Sequence, residues 1–242
     1  MIILENRYKG FKIKSVTFAD EPTDMNGCDR LVFSICKKDD SDIVRKDFKT
    51  RPIYHTSIDL KKPTEEIYKS FNGTTRANLN RAEREGITYK INEDWAQYIE
   101  LQNKFIKLKK LWLKPYTKEF LQQYKGFLIT AYHAGKMLEG GYFVIEDDIL
   151  WTQSIFSFRV IDRSYERLCS QASRYLYFQA MKHGKSLGCN SLYFAIGNDI
   201  ENPTSIGKFK LGFGGTVFKK NIYVKDYNPI LKVASKFGVG TF

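Results

Sequence analysis

The chain has 242 residues, 43% of them hydrophobic and 15% aromatic. A disordered segment is poor in such residues, so the composition excludes disorder and allows one large core or two smaller ones sharing an interface. No apolar run is long enough to span a bilayer. The opening MIILENRYKGFK has neither the apolar stretch nor the small-residue cleavage site of a signal peptide. The expectation is a cytoplasmic chain without stable membrane insertion. The net charge of +12 points to an anionic partner: nucleic acid, a phosphorylated carrier or a membrane surface. The lysines are spread along the chain, however, which fits a solvated surface equally well. Cys28, Cys36, Cys169 and Cys189 lack metal-type spacing and read as free thiols, so no metal is expected.

Residues 1–60 hold three extended runs, FKIKSVTF at 11–18, LVFSIC at 31–36 and IYHTSIDL at 53–60. Each is rich in β-branched and aromatic residues and bounded by polar stretches. Two helices follow. The first, 64–71, carries Glu65 and Glu66 in its first turn, where the helix dipole favours them. The second, 75–85, opens on Thr75 as cap and stops at Gly86. Arg76, Asn80 and Arg84 share one of its faces, which reads as solvated. A short strand at 87–91 precedes a helix over 93–111, with Trp95, Tyr98, Ile99, Phe105 and Ile106 at helical spacing. Leu113-Lys114-Pro115 ends it, and a short helix follows at 117–124.

From Phe127 the pattern changes to strands. Residues 127–133 and 137–145 form a hairpin about Ala134-Gly135-Lys136, and a third strand covers 149–158. A polar loop at 159–169 leads to a helix over 170–187, stopped by Gly188. A strand at 191–196 follows, then a helix opened by Asn202 and Pro203 and ended at Gly212, then a strand at 216–224. The second half thus reads β-β-β-α-β-α-β. Its 149–196 unit is a crossover that needs parallel strands. In such a unit the N–H groups at the helix start form an anion site, here among Arg167, Ser170, Gln171, Ala172, Ser173 and Arg174. An ordinary capped helix is the competing reading.

This order of elements resembles the GNAT acyltransferase fold, and more narrowly its FemAB-like branch. The resemblance is carried by GKMLEGGYFVIEDDILWTQSIFSF at 135–158, SQASRYLYFQAMKHGKSLGCNSLYFAI at 170–196 and FKLGFGG at 209–215. The basic helix in FNGTTRANLNRAEREG at 71–86 also looks like that branch. The resemblance implies an α/β (α+β) fold with a mixed, mostly antiparallel sheet flanked by helices. It divides the chain into a β-rich N-terminal extension, 1–86, which is a partial GNAT-like or acceptor-binding region, and a GNAT-like domain, 87–242. It also implies coenzyme A as the acyl carrier, an amine acceptor and no metal. Its carrier site falls on the 170–174 helix segment, with backbone N–H groups near Ile155, Phe156 and Ser157 polarising the thioester carbonyl. Where the family has glycines in the carrier loop, this chain has Ser170, Ala172 and Ser173. The family's acidic tyrosine has no match in 203–211.

Strands 127–133 and 149–158 run the same way, so their ends share one sheet edge with the hairpin turn. His133, Glu139, Asn198 and Asp199 are the candidate acid–base groups at that edge. Lys208 and Lys210 either grip phosphate or face solvent. Trp112, Tyr116 and Gln153 are candidates for the acceptor pocket. Three functions compete. The first is acyl transfer from an acyl-CoA to an amino sugar, nucleotide-linked, so that both substrates are polyanions; such a chain could also act as a homodimer. The second is a tRNA-dependent peptidyltransferase of FemAB type acting on a cell-wall precursor, against which the chain's size argues. The third is a non-catalytic basic module binding nucleic acid or membrane, against which the even spread of lysine argues.

Overall fold

The computed structural model describes residues 1–34, 36–38, 43, 45–111 and 113–236. Four strands open the chain: β1 (Ile2–Tyr8), β2 (Phe11–Thr17), β3 (Arg30–Ser34) and β4 (Lys49–Asp59). Then come α1 (Thr64–Ser70), α2 (Gly73–Arg84), β5 (Thr88–Ile91), α3 (Trp95–Leu108) and α4 (Lys118–Gln122). The meander β6 (Gly126–His133), β7 (Lys136–Glu146) and β8 (Ile149–Ser157) leads through two short 3-10 turns into α5 (Glu166–Ser186). The chain continues through β9 (Ser191–Gly197), α6 (Ser205–Leu211), β10 (Thr216–Asp226) and α7 (Pro229–Lys236).

All ten strands join one sheet in the order β1-β2-β3-β10-β4-β9-β8-β7-β6-β5. Among the described residues, only β2–β3 and β8–β9 pair in parallel. This is the mixed, mostly antiparallel sheet flanked by helices that the sequence anticipates. Residues 1–86 and 87–242 share it, because β4 lies between β10 and β9. One face carries α1, α2, α5 and α6 over a core that includes Leu79, Leu138, Leu176, Phe194 and Phe213. The other carries α3 and α4 over Tyr98, Tyr142, Trp151 and Phe156, closed at its margin by Phe18 from the end of β2. A third cluster, with Leu31, Phe33, Phe48 and Tyr223, packs β3 against β10.

Sequence and structure differ at several helix starts. Asn72, not Thr75, caps α2, its side chain accepting from the Thr75 N–H at 2.8 Å. Asn72 is the better placed oxygen because its backbone is extended while Thr75 is already helical. Its N–H is also fixed by the Gly212 carbonyl at 2.9 Å. Asn72→Ala should cost about 1 kcal/mol of stability, read as a shift in the urea midpoint. Thr204 rather than Asn202 caps α6, accepting from the Gly207 N–H. The strand β1 was not read in the sequence at all. None of the four cysteines forms a disulfide among the described residues, and three of them are buried. No helix among the described residues is long and apolar enough to cross a membrane.

The Phe209–Gly215 stretch has a structural reason. Phe209 and Phe213 pack on Tyr177 of α5, with centroids 5.7 Å away in each case. Gly215, at φ +90°, then passes so close to β4 that a Cβ would lie 2.4 Å from the Ser57 carbonyl oxygen. Only glycine allows β10 to enter the sheet at that point.

Candidate functional site

The strands β8 and β9 pair only from Ile149↔Ser191 to Trp151↔Tyr193. β8 runs six residues beyond that point and β9 four, without a ladder between them. Immediately past the end of the ladder, β8 bulges. Tyr142 faces Ser154 and Phe143 faces Thr152, leaving Gln153 as an extra residue. A bulge re-aims the strand. Because backbone groups alternate sides along a strand, β8 past Trp151 presents N–H groups toward the opening with no strand to receive them.

The helix that follows β8 starts one turn earlier than its sequence suggests. Its cap position is Tyr165, which makes no side-chain capping bond, and its first residue is Glu166. The N–H groups of Ser170, Gln171, Ala172 and Ser173 therefore lie inside α5, each taken by a carbonyl four residues back. They are not the anion-binding first turn the sequence predicts; the Glu166 N–H is itself taken by the Arg163 carbonyl, so that role falls to the N–H groups of Arg167 and Leu168. The Ser170 hydroxyl resembled a cap only because the preceding turn lacks a standard one.

Cations with no carboxylate partner among the described residues flank the opening. Arg174 leans back along α5, as helical side chains do, and its Nη1 donates to both the carbonyl and the Oγ of Ser170, each at 2.9 Å. Its guanidinium lies 5.1 Å from the Phe209 ring centre. Its Nε is buried without a hydrogen-bond partner among the described residues. Burial, and then the nearby charge of Arg159, push its pKa down. Arg159 is exposed on the turn after β8. No ion pair among the described residues engages either arginine. Lys210, on α6, donates to the Ala195 carbonyl at 2.7 Å, two residues past the end of the β8–β9 ladder. Burial pushes its pKa down to about 8. Desolvated cations with no counter-charge are costly unless an anion joins them.

The remaining candidates separate into other places. Glu139 is 1% exposed, beneath α5, and accepts from the Ser157 hydroxyl at 2.6 Å. Burial pushes its pKa up to about 8, against the pull of Ser157, Ser173 and Arg159. It is thus a neutral acid at pH 7, and it raises the neighbouring Cys169 thiol further. Arg167 instead pairs with Glu85 at the end of α2, where Gln171 also donates at 3.4 Å. His133 is half-buried near the same carboxylate. Ala172 is fully buried in the core under α5, and Lys208 is exposed. Asn198 and Asp199 are exposed beyond β9, and the Asp199 carboxylate accepts from the Glu201 and Asn202 N–H groups at 2.9 Å, closing a turn.

Ile155 packs on the α5 side. Phe156 points to the opposite face, where its ring meets Tyr98. Gln153 is the half-buried bulge residue. Tyr116 is 5% exposed, pinned by paired hydrogen bonds between its backbone and the Asn103 amide. Trp112 lies outside the described residues. The closeness permitted by Gly140 serves the protein itself, since a Cβ there would meet the Phe156 and Tyr98 rings at 2.6 and 2.7 Å.

Sequence reasoning missed Arg159 and His55. Arg159 gave no local signal beyond a polar loop. His55 sits in β4 opposite Ala195, fully buried, and neither of its ring nitrogens has a hydrogen-bond partner among the described residues. Burial, helped by Lys210 and Lys220, pushes its pKa down to about 4, so it is neutral. Its alternation with apolar neighbours reads only as a strand.

Glu139 gives a pH test. Its folded pKa lies above the value of about 4.3 for an exposed glutamate. The unfolded chain therefore loses this proton first, and stability falls as pH rises from about 4.3 to about 8. Glu139→Gln removes that loss. The variant should match the wild type near pH 4 and exceed it increasingly up to pH 8 in urea unfolding; a constant difference across that range would contradict the assignment.

No protein-family model and no curated protein sequence matches the chain. Solved structures do. L-PGS from Bacillus licheniformis aligns with 87% of this chain and 73% of its own, at 13% identity and a TM-score of 0.58. FemX aligns with 78% of this chain at 12% identity and a TM-score of 0.58, and the present chain spans 65% of it, just under two-thirds. At such identities the likeness is one of fold.

Proposed function

We propose that this protein is an N-acyltransferase that moves an acyl group from an acyl-CoA thioester to the amine of an amino sugar, nucleotide-linked. The observation that carries the reading is the opening between β8 and β9, flanked by Arg159, Arg174 and Lys210, which have no carboxylate partner among the described residues. In this reading the carrier phosphates sit at Arg174 and Arg159, with the Ser170 hydroxyl beside them. The pantetheine arm takes the place along β8 that a neighbouring strand would fill, giving the free N–H groups their acceptors. The thioester carbonyl then lies near Gln153, Ile155 and Ser157, where backbone N–H donors polarise it.

The neutral amine attacks the carbonyl carbon. The C–N bond forms, the C–S bond breaks, and the departing thiolate takes the proton the amine loses. Lys210, as an ammonium, stabilises the negative charge on the tetrahedral intermediate. Buried Glu139 serves to hold Ser157 and the end of β8 rather than to meet the substrate.

A direct test incubates the protein with acetyl- and hydroxyacyl-CoA and a panel of nucleotide-linked amino sugars while free thiol is followed. Amine-dependent thiol release is expected; none with any donor would remove the acyl-CoA reading. The fold likeness to FemX favours a second reading, an aminoacyl-tRNA donor held by the same cations. It requires tight tRNA binding that weakens steeply with salt.

A further inference from the structure

Two adjoining cavities lie between the β1–β2 hairpin and the segment after α3, and neither includes a residue of the β8–β9 opening. The larger, of about 600 Å³, has Arg7, Lys12, Lys14 and Lys114 in its wall, with Ile13 and Leu111 as apolar lining. The smaller, of about 260 Å³, is apolar and aromatic, with Leu4, Pro115, Tyr116 and Phe120. Glu5, Asn6, Leu113 and Lys114 line both, so the two adjoin across these residues. The Asn6 side chain ties the walls together, accepting from the Lys114 N–H at 3.1 Å.

The charge in this place is not balanced. The one lining carboxylate, Glu5, is paired with Lys14 at 3.4 Å; Asp29 beside the wall accepts from the Lys12 backbone N–H at 2.7 Å and feels the Lys12 charge, which leaves the cations in excess. Arg7, Lys12 and Lys114 form no ion pair among the described residues. Arg7 and Lys12 also face each other directly across the β1–β2 ladder. Like charges at opposed positions destabilise a strand pair, so an anion bound between them relieves a cost already built into the hairpin. An annex lined by Tyr116 and Phe120 beside a cationic chamber suits a flat or apolar group attached to phosphate.

The cavities also stand on the right side of the sheet. Tyr116 belongs to the core that holds Trp151 and Phe156 of β8, under α3. Tyr98 of α3 bonds Ser154 of β8 at 2.6 Å, within the part of β8 that has left β9. Arg174 and Lys210 come from helices on the opposite face. Two substrates could therefore approach the opening from opposite sides.

We infer that these cavities bind the acceptor as a nucleoside diphosphate, its phosphates at Arg7, Lys12 and Lys114 and its base in the aromatic annex; the acceptor role rests on the acyl-transfer reading above. The same chemistry, a phosphate next to an apolar group, is offered by a lipid headgroup, and the test separates the two. Calorimetric titration of the full chain with uridine diphosphate, inorganic pyrophosphate and anionic phosphatidylglycerol vesicles is the experiment. Uridine diphosphate should bind more tightly than pyrophosphate. The triple variant Arg7→Ala, Lys12→Ala, Lys114→Ala should weaken it by about tenfold or more, with coenzyme A affinity unchanged and the thermal midpoint not lowered. Unchanged uridine diphosphate affinity in that variant, or binding of vesicles but not of the nucleotide, overturns the inference. Coenzyme A titrated in parallel keeps the two ideas apart. If it fails to bind while the nucleotide binds in a variant-sensitive way, the acyl-transfer reading falls and the cavity assignment stands.

Discussion

Lys210→Ala is expected to lower kcat/KM for acyl transfer by about 10²–10³-fold, the usual loss when a preorganised oxyanion donor is removed. The expectation rests on burial and placement together. The ammonium reaches the Ala195 carbonyl just past the end of the β8–β9 ladder, and burial holds its pKa at about 8. Its charge is therefore present at pH 7 and lost as pH rises through about 8. A neutral amine nucleophile is favoured by rising pH, so the wild-type profile should be bell-shaped, with Lys210 setting the falling limb. Lys210→Arg keeps the charge and should move that limb to higher pH while recovering part of the rate. A falling limb that survives in Lys210→Ala would show that another group sets it.

Asp226→Ala is expected to destabilise the fold by about 3–5 kcal/mol. Asp226 ends β10, and its carboxylate meets Arg30 Nε of β3 at 2.5 Å with the two side chains 2% and 4% exposed. Removing it strips a buried guanidinium of this carboxylate. A domain of ordinary stability has only about 5–15 kcal/mol to lose, so the variant should unfold at markedly lower urea. Replacing both partners by apolar residues, Arg30→Met with Asp226→Leu, should recover most of the loss. If the single variant costs under about 1 kcal/mol, the pair is not what ties β3 to β10.

The second half of the fold was legible because its punctuation is local. Ala134-Gly135 and Asp147-Asp148 adopt positive φ in tight turns, and short runs rich in apolar, β-branched and aromatic residues on either side declare the meander. The start of α5 was not legible, since Tyr165 makes no side-chain cap while Ser170 looks like one. The strand β1 was missed because an edge strand with Glu5 and Arg7 lacks the apolar alternation of a buried one. The insertion of β4 between β9 and β10 is a long-range pairing that no local pattern encodes.

The site was legible in outline only. Arg174 and the end of β8 were named from sequence, and the structure keeps them beside the opening. Arg167 was an equal candidate until α5 turned it toward Glu85. Lys210 was named only beside Lys208, as a lysine that grips phosphate or faces solvent, since its burial depends on how α6 packs on β9 and α5.

The structure of the protein with coenzyme A bound tests the central claim most directly. The expected result is a pyrophosphate within hydrogen-bond distance of Arg174 and a sulfur against the edge of β8 between Gln153 and Ser157. Coenzyme A bound elsewhere, or no occupancy at saturating coenzyme A while tRNA binds at Arg174 and Lys210, would contradict it.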